Sequence, residues 1–170
     1  ITAVEIDPQV EIVARLHFKL PDDPARLRVI IADGAHYMLQ DGRQFDSILV
    51  DGFDKHGRAG VLDTLAFYQA CRARPSADGL MAVNLLGRSR GFAASKERIA
   101  KAFADRSLVF PSCDSGNTIA FATGGEAVDV ALGELIARAE TTHRETGLNL
   151  LPTIPRLQTS GTLIDERLCI

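Results

Sequence analysis

Short apolar runs alternate along the chain with amphipathic stretches, as strands alternate with helices in many proteins. The apolar runs predict six strands, over 1–7, 26–33, 45–51, 79–86, 108–113 and 117–123. The amphipathic stretches predict helices over 9–20, 34–42, 61–77, 95–106 and 126–146, with Gly42 closing the second and Pro75 shortening the third. This alternation favours an α/β fold with a mainly parallel sheet and helices that flank it.

The end of the chain departs from this pattern. The turn residues Asp114, Ser115 and Gly116 separate the last two predicted strands, so we expect an antiparallel hairpin from Leu108 to Thr123. Residues 148–170 carry two prolines and a glycine and have no clear period. The pattern therefore predicts one domain over 1–147, followed by an irregular carboxyl-terminal tail over 148–170.

Composition narrows the functional classes. The chain has 170 residues, of which 46% are hydrophobic, and a net charge of -3, which is typical of one globular unit and does not favour a nucleic-acid binder. No apolar run reaches the roughly 20 residues of a bilayer span, so we expect a cytoplasmic protein without membrane contact. Cys71, Cys113 and Cys169 have no metal-ligand or disulfide spacing, and we predict no metal site.

The first residues predict that the chain is a fragment. It opens with "ITAVEIDP", without an initiator methionine and already within an apolar alternation. We therefore expect Ile1 to lie inside a strand.

Acidic residues stand at the ends of three consecutive predicted strands. They are Glu5, Asp33 followed by Gly34, and Asp51. Ligands of open α/β sheets bind at the carboxyl ends of the strands, where a carboxylate can accept two hydrogen bonds from a ribose diol. An acid followed by glycine can approach an adenine amine closely. We therefore predict a nucleoside pocket in which Glu5, Asp33 and Asp51 line one edge of the sheet.

Four segments, taken together, resemble a known family. Residues 3–15, 26–38, 45–54 and 65–85 look like the consecutive motifs of the spermidine synthase (polyamine aminopropyltransferase) family, a branch of the S-adenosylmethionine-dependent methyltransferase fold. The resemblance runs from about Ile1 to Thr123. It implies a Rossmann-like sheet that lacks its first strand, with the donor's glycine-rich turn outside this chain. The remaining strands, numbered along this chain, would then have the order 2-1-gap-3-4-6-5.

The resemblance also implies roles for the acids. Glu5 corresponds to the ribose-binding glutamate, and Asp33 with Gly34 to the site that faces adenine. Asp51 matches the acid that accepts a proton from the attacking amine, and Asp54 matches the acid that holds the diamine. The implied co-substrate is decarboxylated S-adenosylmethionine or S-adenosylmethionine itself, with no tightly bound cofactor.

The two acids after the third strand suit amine chemistry. An amine attacks carbon only when it is neutral, so one carboxylate can accept its proton while a second attracts a distal cation. Lys55 and Arg58 stand where the family usually has proline. Like charges disfavour a bound diammonium, so we expect poor use of putrescine, and the acceptor's identity stays open.

Three functions remain open on the sequence. The first is an aminopropyltransferase that acts on a small amine in the full-length protein, with the fragment itself inactive and a homodimer allowed. The second is an S-adenosylmethionine-dependent methyltransferase of small molecules, and the third is a non-catalytic nucleoside-binding module. Asn84, near the end of a central strand, is the best remaining polar candidate for the site.

Overall fold

The computed structural model of the chain describes residues 1–40, 42–161 and 163–170. Its strands are β1 Thr2–Glu5, β2 Arg28–Ile31, β3 Phe45–Val50, β4 Pro75–Leu86, β5 Ser107–Val109, β6 Asn117–Thr123, β7 Asp129–Ala131, β8 Leu163–Ile164 and β9 Arg167–Cys169. Its α-helices are α1 Pro8–Phe18, α2 Gly34–Leu39, α3 Leu65–Arg72, α4 Phe92–Phe103, α5 Leu132–Thr146 and α6 Ile154–Thr159. The 3-10 helices cover Gly60–Asp63 and Leu151–Thr153. The chain divides into two compact units, Ile1–Gly42 and Arg43–Ile170, and each is described by itself.

The first unit is a two-stranded parallel sheet with two helices. β1 pairs with β2 so that Glu5 lies opposite Ile31. α1 follows β1 directly because the Asp7 carboxylate accepts a hydrogen bond from the Gln9 N–H and Pro8 suits the first turn. None of the residues of α1 is buried, and Met38 is the buried hydrophobic residue within the described part of this unit. The unit therefore has a small core.

The second unit contains a four-stranded sheet in the order β3-β4-β6-β5. β3 and β4 are parallel, and β6 runs antiparallel to both β4 and β5. The predicted hairpin from Leu108 to Thr123 is confirmed, and the orders predicted for strands 2-1 and 3-4-6-5 are both found. The expected Rossmann-like α/β fold with flanking helices is confirmed.

The main core lies on one face of this sheet. β4 alternates, so Met81, Val83 and Leu85 are buried on the face that α3 and α4 cover. Tyr68 of α3 and Phe103 of α4 are fully buried there. Asn84 belongs to the opposite face of the strand, because it lies between two core-facing residues.

A polar network joins the 3-10 helix Gly60–Asp63 to α3 and α4. Asp63 Oδ1 accepts a hydrogen bond from the Tyr68 hydroxyl at 2.9 Å. Its Oδ2 accepts from Ser95 Oγ at 2.7 Å and from Arg98 Nη2 at 2.5 Å. Burial raises the pKa of Tyr68, and the Asp63 carboxylate raises it further. The network therefore fixes the segment that enters α3.

The helix predicted over 61–77 is too long. The structure has the short 3-10 helix, then α3, with Thr64 extended between them. Thr64 Oγ1 accepts a hydrogen bond from the Phe67 N–H, which starts a new helix at Leu65. β4 begins at Pro75 rather than at Gly79, because Pro75 pairs with Phe45 of β3.

Two further helices differ from their predicted ranges. The helix predicted over 34–42 ends at Leu39 because Gln40 is extended, and Asp41 lies outside the described residues. The helix predicted over 126–146 begins at Leu132, since Asp129–Ala131 form β7 instead.

The tail predicted to be irregular contains regular elements. Pro152 and Pro155 lie in first helical turns, where the missing N–H is not needed, and Gly161 has φ +77° after α6. β9 pairs antiparallel with both β7 and β8, while Thr162 lies outside the described residues. Four buried side chains join this segment to β5: Leu108, Leu157, Leu168 and Ile170. The segment is therefore packed, and the prediction of irregular structure was wrong.

No helix of the described chain combines the length and the apolar character that a bilayer crossing requires.

The Asp63 network generates a stability prediction. Tyr68→Phe removes one donor from a carboxylate, and the loss of such a hydrogen bond should lower the free energy of unfolding by about 1.5–3 kcal/mol. Urea denaturation of the wild type and the variant measures this difference. Tyr37→Phe in the first unit serves as the matched control, with an expected change within about 0.5 kcal/mol. Equal effects of the two substitutions would contradict a specific role of the Tyr68 hydroxyl.

Candidate functional site

The first unit places two predicted site residues at the carboxyl edge of its sheet. Glu5 ends β1, and its Oε1 accepts a hydrogen bond from the Asp7 N–H at 2.9 Å. Asp33 caps α2, with Oδ1 accepting from the His36 N–H at 2.8 Å, and Gly34 is the first residue of that helix. Because β1 and β2 are parallel neighbours, Glu5 and Asp33 lie at the same edge.

Each of these acids keeps one oxygen for another partner. Within the described residues, Oε2 of Glu5 and Oδ2 of Asp33 accept no hydrogen bond from the protein. A carboxylate oxygen of this kind can accept from a hydroxyl or an exocyclic amine. Both acids therefore have a local structural bond and a remaining acceptor.

In the second unit, the structure pairs Asp51 with Asn84. Asp51 follows the last residue of β3, and the β3–β4 register sets Val50 opposite Val83. The neighbouring Asn84 donates from Nδ2 to Asp51 Oδ1 at 2.9 Å. In the described structure, Asn84 Oδ1 is buried without a hydrogen-bond partner, so the bond to Asp51 sets the orientation of the amide.

The hydrogen bond from Asn84 involves only one of the two carboxylate oxygens of Asp51. Oδ1 is held by the amide, whereas Oδ2 has no hydrogen-bond partner among the described residues. The carboxylate is also exposed to solvent. Asp51 is thus an oriented carboxylate with one oxygen that can accept a proton or a donor.

Asp54 has a different environment, because its own loop occupies both oxygens. Oδ1 accepts from the backbone N–H groups of His56 at 2.8 Å and Arg58 at 2.9 Å. Oδ2 accepts from Arg58 Nε at 2.9 Å and lies 2.8 Å from Arg58 Nη2. The Asp54 N–H in turn donates to the Arg58 carbonyl at 2.9 Å, and Gly57 supplies the positive φ of +70° that the turn requires.

These contacts perturb the ionisation of Asp54. The hydrogen bond from the Arg58 backbone N–H, and then those from its guanidinium, lower the pKa of Asp54 from 3.8 to about 2. The structure therefore ties Asp54 to Arg58, while Asp51 bonds to Asn84. Sequence analysis recognised that Arg58 lies near the site but not that it binds Asp54 directly. The acid-to-arginine spacing of four residues was the available signal.

The loop after Asp51 is anchored by close packing. A Cβ at Gly52 would lie 2.5 Å from Leu62 Cδ1, so Gly52 packs directly against the Leu62 side chain of the 3-10 helix. Asp63, at the end of that helix, belongs to the polar network with Ser95 and Arg98. Sequence reasoning missed this network, since its members are 32 and 35 residues apart and carry no local motif.

Within the described ranges, no three His, Cys, Asp or Glu side chains are grouped closely enough to hold a metal ion.

Comparison with known proteins places this fold in a class. No family model matches the chain. A spermidine synthase solved in complex with the transition state analogue AdoDATO aligns with 73% of this chain and 46% of its own, with a TM-score of 0.62 and 30% identity. The fold is therefore the Rossmann-like fold of the spermidine synthases.

Curated relatives make the relationship more specific. A polyamine aminopropyltransferase of Neisseria meningitidis serogroup A is 31% identical over 160 residues, which cover 94% of this chain and 61% of the relative. One from Chromobacterium violaceum is 30% identical over 167 residues, covering 88% of this chain and 64% of the relative. The chain is similar to these two polyamine aminopropyltransferases over most of its length, and it spans less than two thirds of the length of each.

The environment of Asp54 generates a pH prediction. Its pKa is lowered in the folded loop, so the stabilisation of the turn is present above the ordinary value of 3.8 and is lost as the pH falls through about 2. A titration of the Asp54 carboxyl carbon by NMR should show its midpoint near 2. Arg58→Gln should raise this midpoint only part of the way, because the backbone N–H donor remains. A wild-type midpoint near 3.8 would contradict the bonded loop.

Proposed function

We propose that the full-length protein transfers an aminopropyl group from decarboxylated S-adenosylmethionine to an acceptor amine. The observation that carries this proposal is Asp51, a carboxylate oriented by Asn84 through one oxygen and able to accept through the other. Homology to polyamine aminopropyltransferases over 94% of the chain supports it. The relatives are longer than this chain, so activity belongs to the full-length gene product.

The transfer needs one proton acceptor and good positioning. The acceptor nitrogen attacks the aminopropyl carbon attached to the sulfonium, so an N–C bond forms and the C–S bond breaks. The bonding electrons go to sulfur, which leaves as a neutral thioether and needs no acid. The amine loses one proton, and Oδ2 of Asp51 is the group that takes it. Positioning and this proton transfer are the contributions of the protein.

Asn84 acts in this proposal as a positioning residue. Its amide holds Oδ1 of Asp51, so the carboxylate presents Oδ2 in one orientation. Because Asn84 lies on β4 and not on the loop, this orientation depends on a paired strand rather than on loop conformation.

The donor nucleoside is assigned to the acids of the first unit. Glu5 would accept from the ribose hydroxyls, and Asp33 with Gly34 would face the adenine. Each acid has an oxygen without a partner in the described structure, which fits this role. The related spermidine synthase was solved with AdoDATO, a transition state analogue, which supports a donor of this class.

By the resemblance Asp54 would attract the distal cation of a diamine, but in this chain Arg58 binds its carboxylate. Its carboxylate follows Asp51 by three residues in the same loop. The acceptor itself is a small amine.

The preference of the protein for one of two donors distinguishes aminopropyl transfer from methyl transfer and from a non-catalytic module. Binding of decarboxylated S-adenosylmethionine in preference to S-adenosylmethionine supports aminopropyl transfer, and the reverse preference supports a methyltransferase. A full-length protein that binds neither compound would be a module without this chemistry. Competition calorimetry on the full-length gene product measures these preferences.

The first prediction from this proposal concerns the base. Asp51→Asn keeps the shape of the side chain but removes the proton acceptor, so turnover should fall by about a hundredfold or more with donor affinity largely retained. Asp46→Asn, an exposed change on the same strand, is the matched control and should retain activity. Wild-type turnover by Asp51→Asn with every amine tested would refute the catalytic assignment.

The second prediction concerns the donor. Glu5→Gln weakens the proposed ribose contact outside the reacting centre, so it should cost about 1.5–3 kcal/mol of donor binding and affect the chemical step less. Calorimetry measures the affinity and single-turnover kinetics measures the chemical step. Glu145→Gln, an exposed change of equal charge on α5, should leave both unchanged. Unaltered donor affinity in Glu5→Gln would assign Glu5 a structural role.

A further inference from the structure

We propose that Arg58 determines the acceptor specificity of this protein, because its guanidinium occupies the position at Asp54 that the distal ammonium of a diamine would need. The acceptor is then an amine without a second cation. This inference rests on the proposed aminopropyl transfer and names the class of substrate for that site.

The loop already uses most of the hydrogen-bonding capacity of the Asp54 carboxylate. An ionised carboxylate offers about four lone-pair sites. The loop supplies three hydrogen bonds, from the backbone N–H groups of His56 and Arg58 and from Arg58 Nε, and Arg58 Nη2 also lies 2.8 Å from Oδ2. An incoming ammonium would therefore have to compete with the guanidinium for Oδ2 of Asp54.

The charge of the Asp54–Arg58 pair also disfavours a diamine. The guanidinium lies 2.8 Å from Asp54 Oδ2, so the pair presents little net negative charge to a distal ammonium. That ammonium would also approach a like charge, which disfavours the diamine relative to a monoamine of the same length. The attacking amine itself needs only Asp51, which bonds to Asn84.

The short segment between Asp54 and Arg58 also favours the guanidinium over a free diamine. Arg58 follows Asp54 by four residues, and the backbone bond from the Asp54 N–H to the Arg58 carbonyl holds the two residues together at 2.9 Å. A group held by so short a segment competes with an effective concentration on the order of millimolar. Free diamine must exceed this concentration, or gain contacts elsewhere, before it displaces the guanidinium.

The alternative explanation is that the positive charges of the loop disfavour diamines through their electrostatic field, without direct occupation of Asp54. Lys55 carries the same charge in the same loop, yet the bonds to Asp54 come from His56 and Arg58. If the field of the loop alone disfavoured diamines, removal of either charge would act equally. Direct occupation predicts that Arg58 alone matters strongly.

The test compares two acceptors of equal length, butylamine and butane-1,4-diamine, in the full-length gene product. The measured quantity is the ratio of kcat/KM for the diamine to kcat/KM for the monoamine. Arg58→Gln should raise this ratio by about tenfold or more, since it removes charge-assisted bonds that the diamine must break. Arg58→Lys keeps the charge but loses the planar fork, and should give an intermediate ratio.

Two controls remove one positive charge each. Lys55→Gln should change the ratio by less than about twofold, as for an exposed charge that has no ion-pair partner among the described residues. Arg144→Gln, on α5, should leave the ratio unchanged. An unchanged ratio in Arg58→Gln, or an equal rise in Lys55→Gln, would overturn the proposal.

Measurements of amine binding distinguish a failure of this inference from a failure of the proposed function. NMR titration of both amines into the wild type and Arg58→Gln measures affinity without turnover. If neither protein transfers an aminopropyl group, the proposed function fails, but an affinity for the diamine about tenfold higher in Arg58→Gln still supports the role of Arg58. If transfer occurs and the variant shows no gain in diamine affinity or in the ratio, the function stands and the specificity role is wrong.

Discussion

The pairing of β4 with two neighbours is the constraint on which the second unit depends. β4, which extends from Pro75 to Leu86, runs parallel to β3 on one side and, from Leu80 to Leu86, antiparallel to β6 on the other. Its alternation buries Met81, Val83 and Leu85 under α3 and α4. The same alternation assigns Asn84 to the opposite face, where the register with β3 brings it to Asp51. A shift of one residue would exchange the faces and separate that pair.

Two acids three residues apart show how local environment divides chemical roles. Asp51 stands at the end of a paired strand, takes one hydrogen bond from Asn84 and retains an oxygen able to accept. Asp54 lies within a tight turn, takes three hydrogen bonds and an ion-pair contact from that turn, and has a lowered pKa. The difference follows from the donors within reach and not from residue type. Our proposals assign proton transfer to the first acid and acceptor selection to the arginine bound to the second.

The loop between these acids and α3 is supported at its far end. Gly52 packs against the Leu62 side chain, and Asp63 joins Tyr68, Ser95 and Arg98 in a partly buried network. Such support matters because loop residues keep a useful geometry only when packed elements hold the ends of the loop. The carboxyl-terminal segment contributes a separate core with β5.

The sequence by itself determined the strand and helix alternation, the hairpin from Leu108 to Thr123, and the acids at strand ends, because these depend on periodicity and turn chemistry within a few residues. It also indicated that Arg58 lies near Asp54. Only the tertiary structure decided that Asn84 bonds Asp51 across 33 residues and that Asp129–Ala131 pair with Arg167–Cys169. Those contacts arise from strand register and packing between distant segments, and no local pattern of residues encodes them.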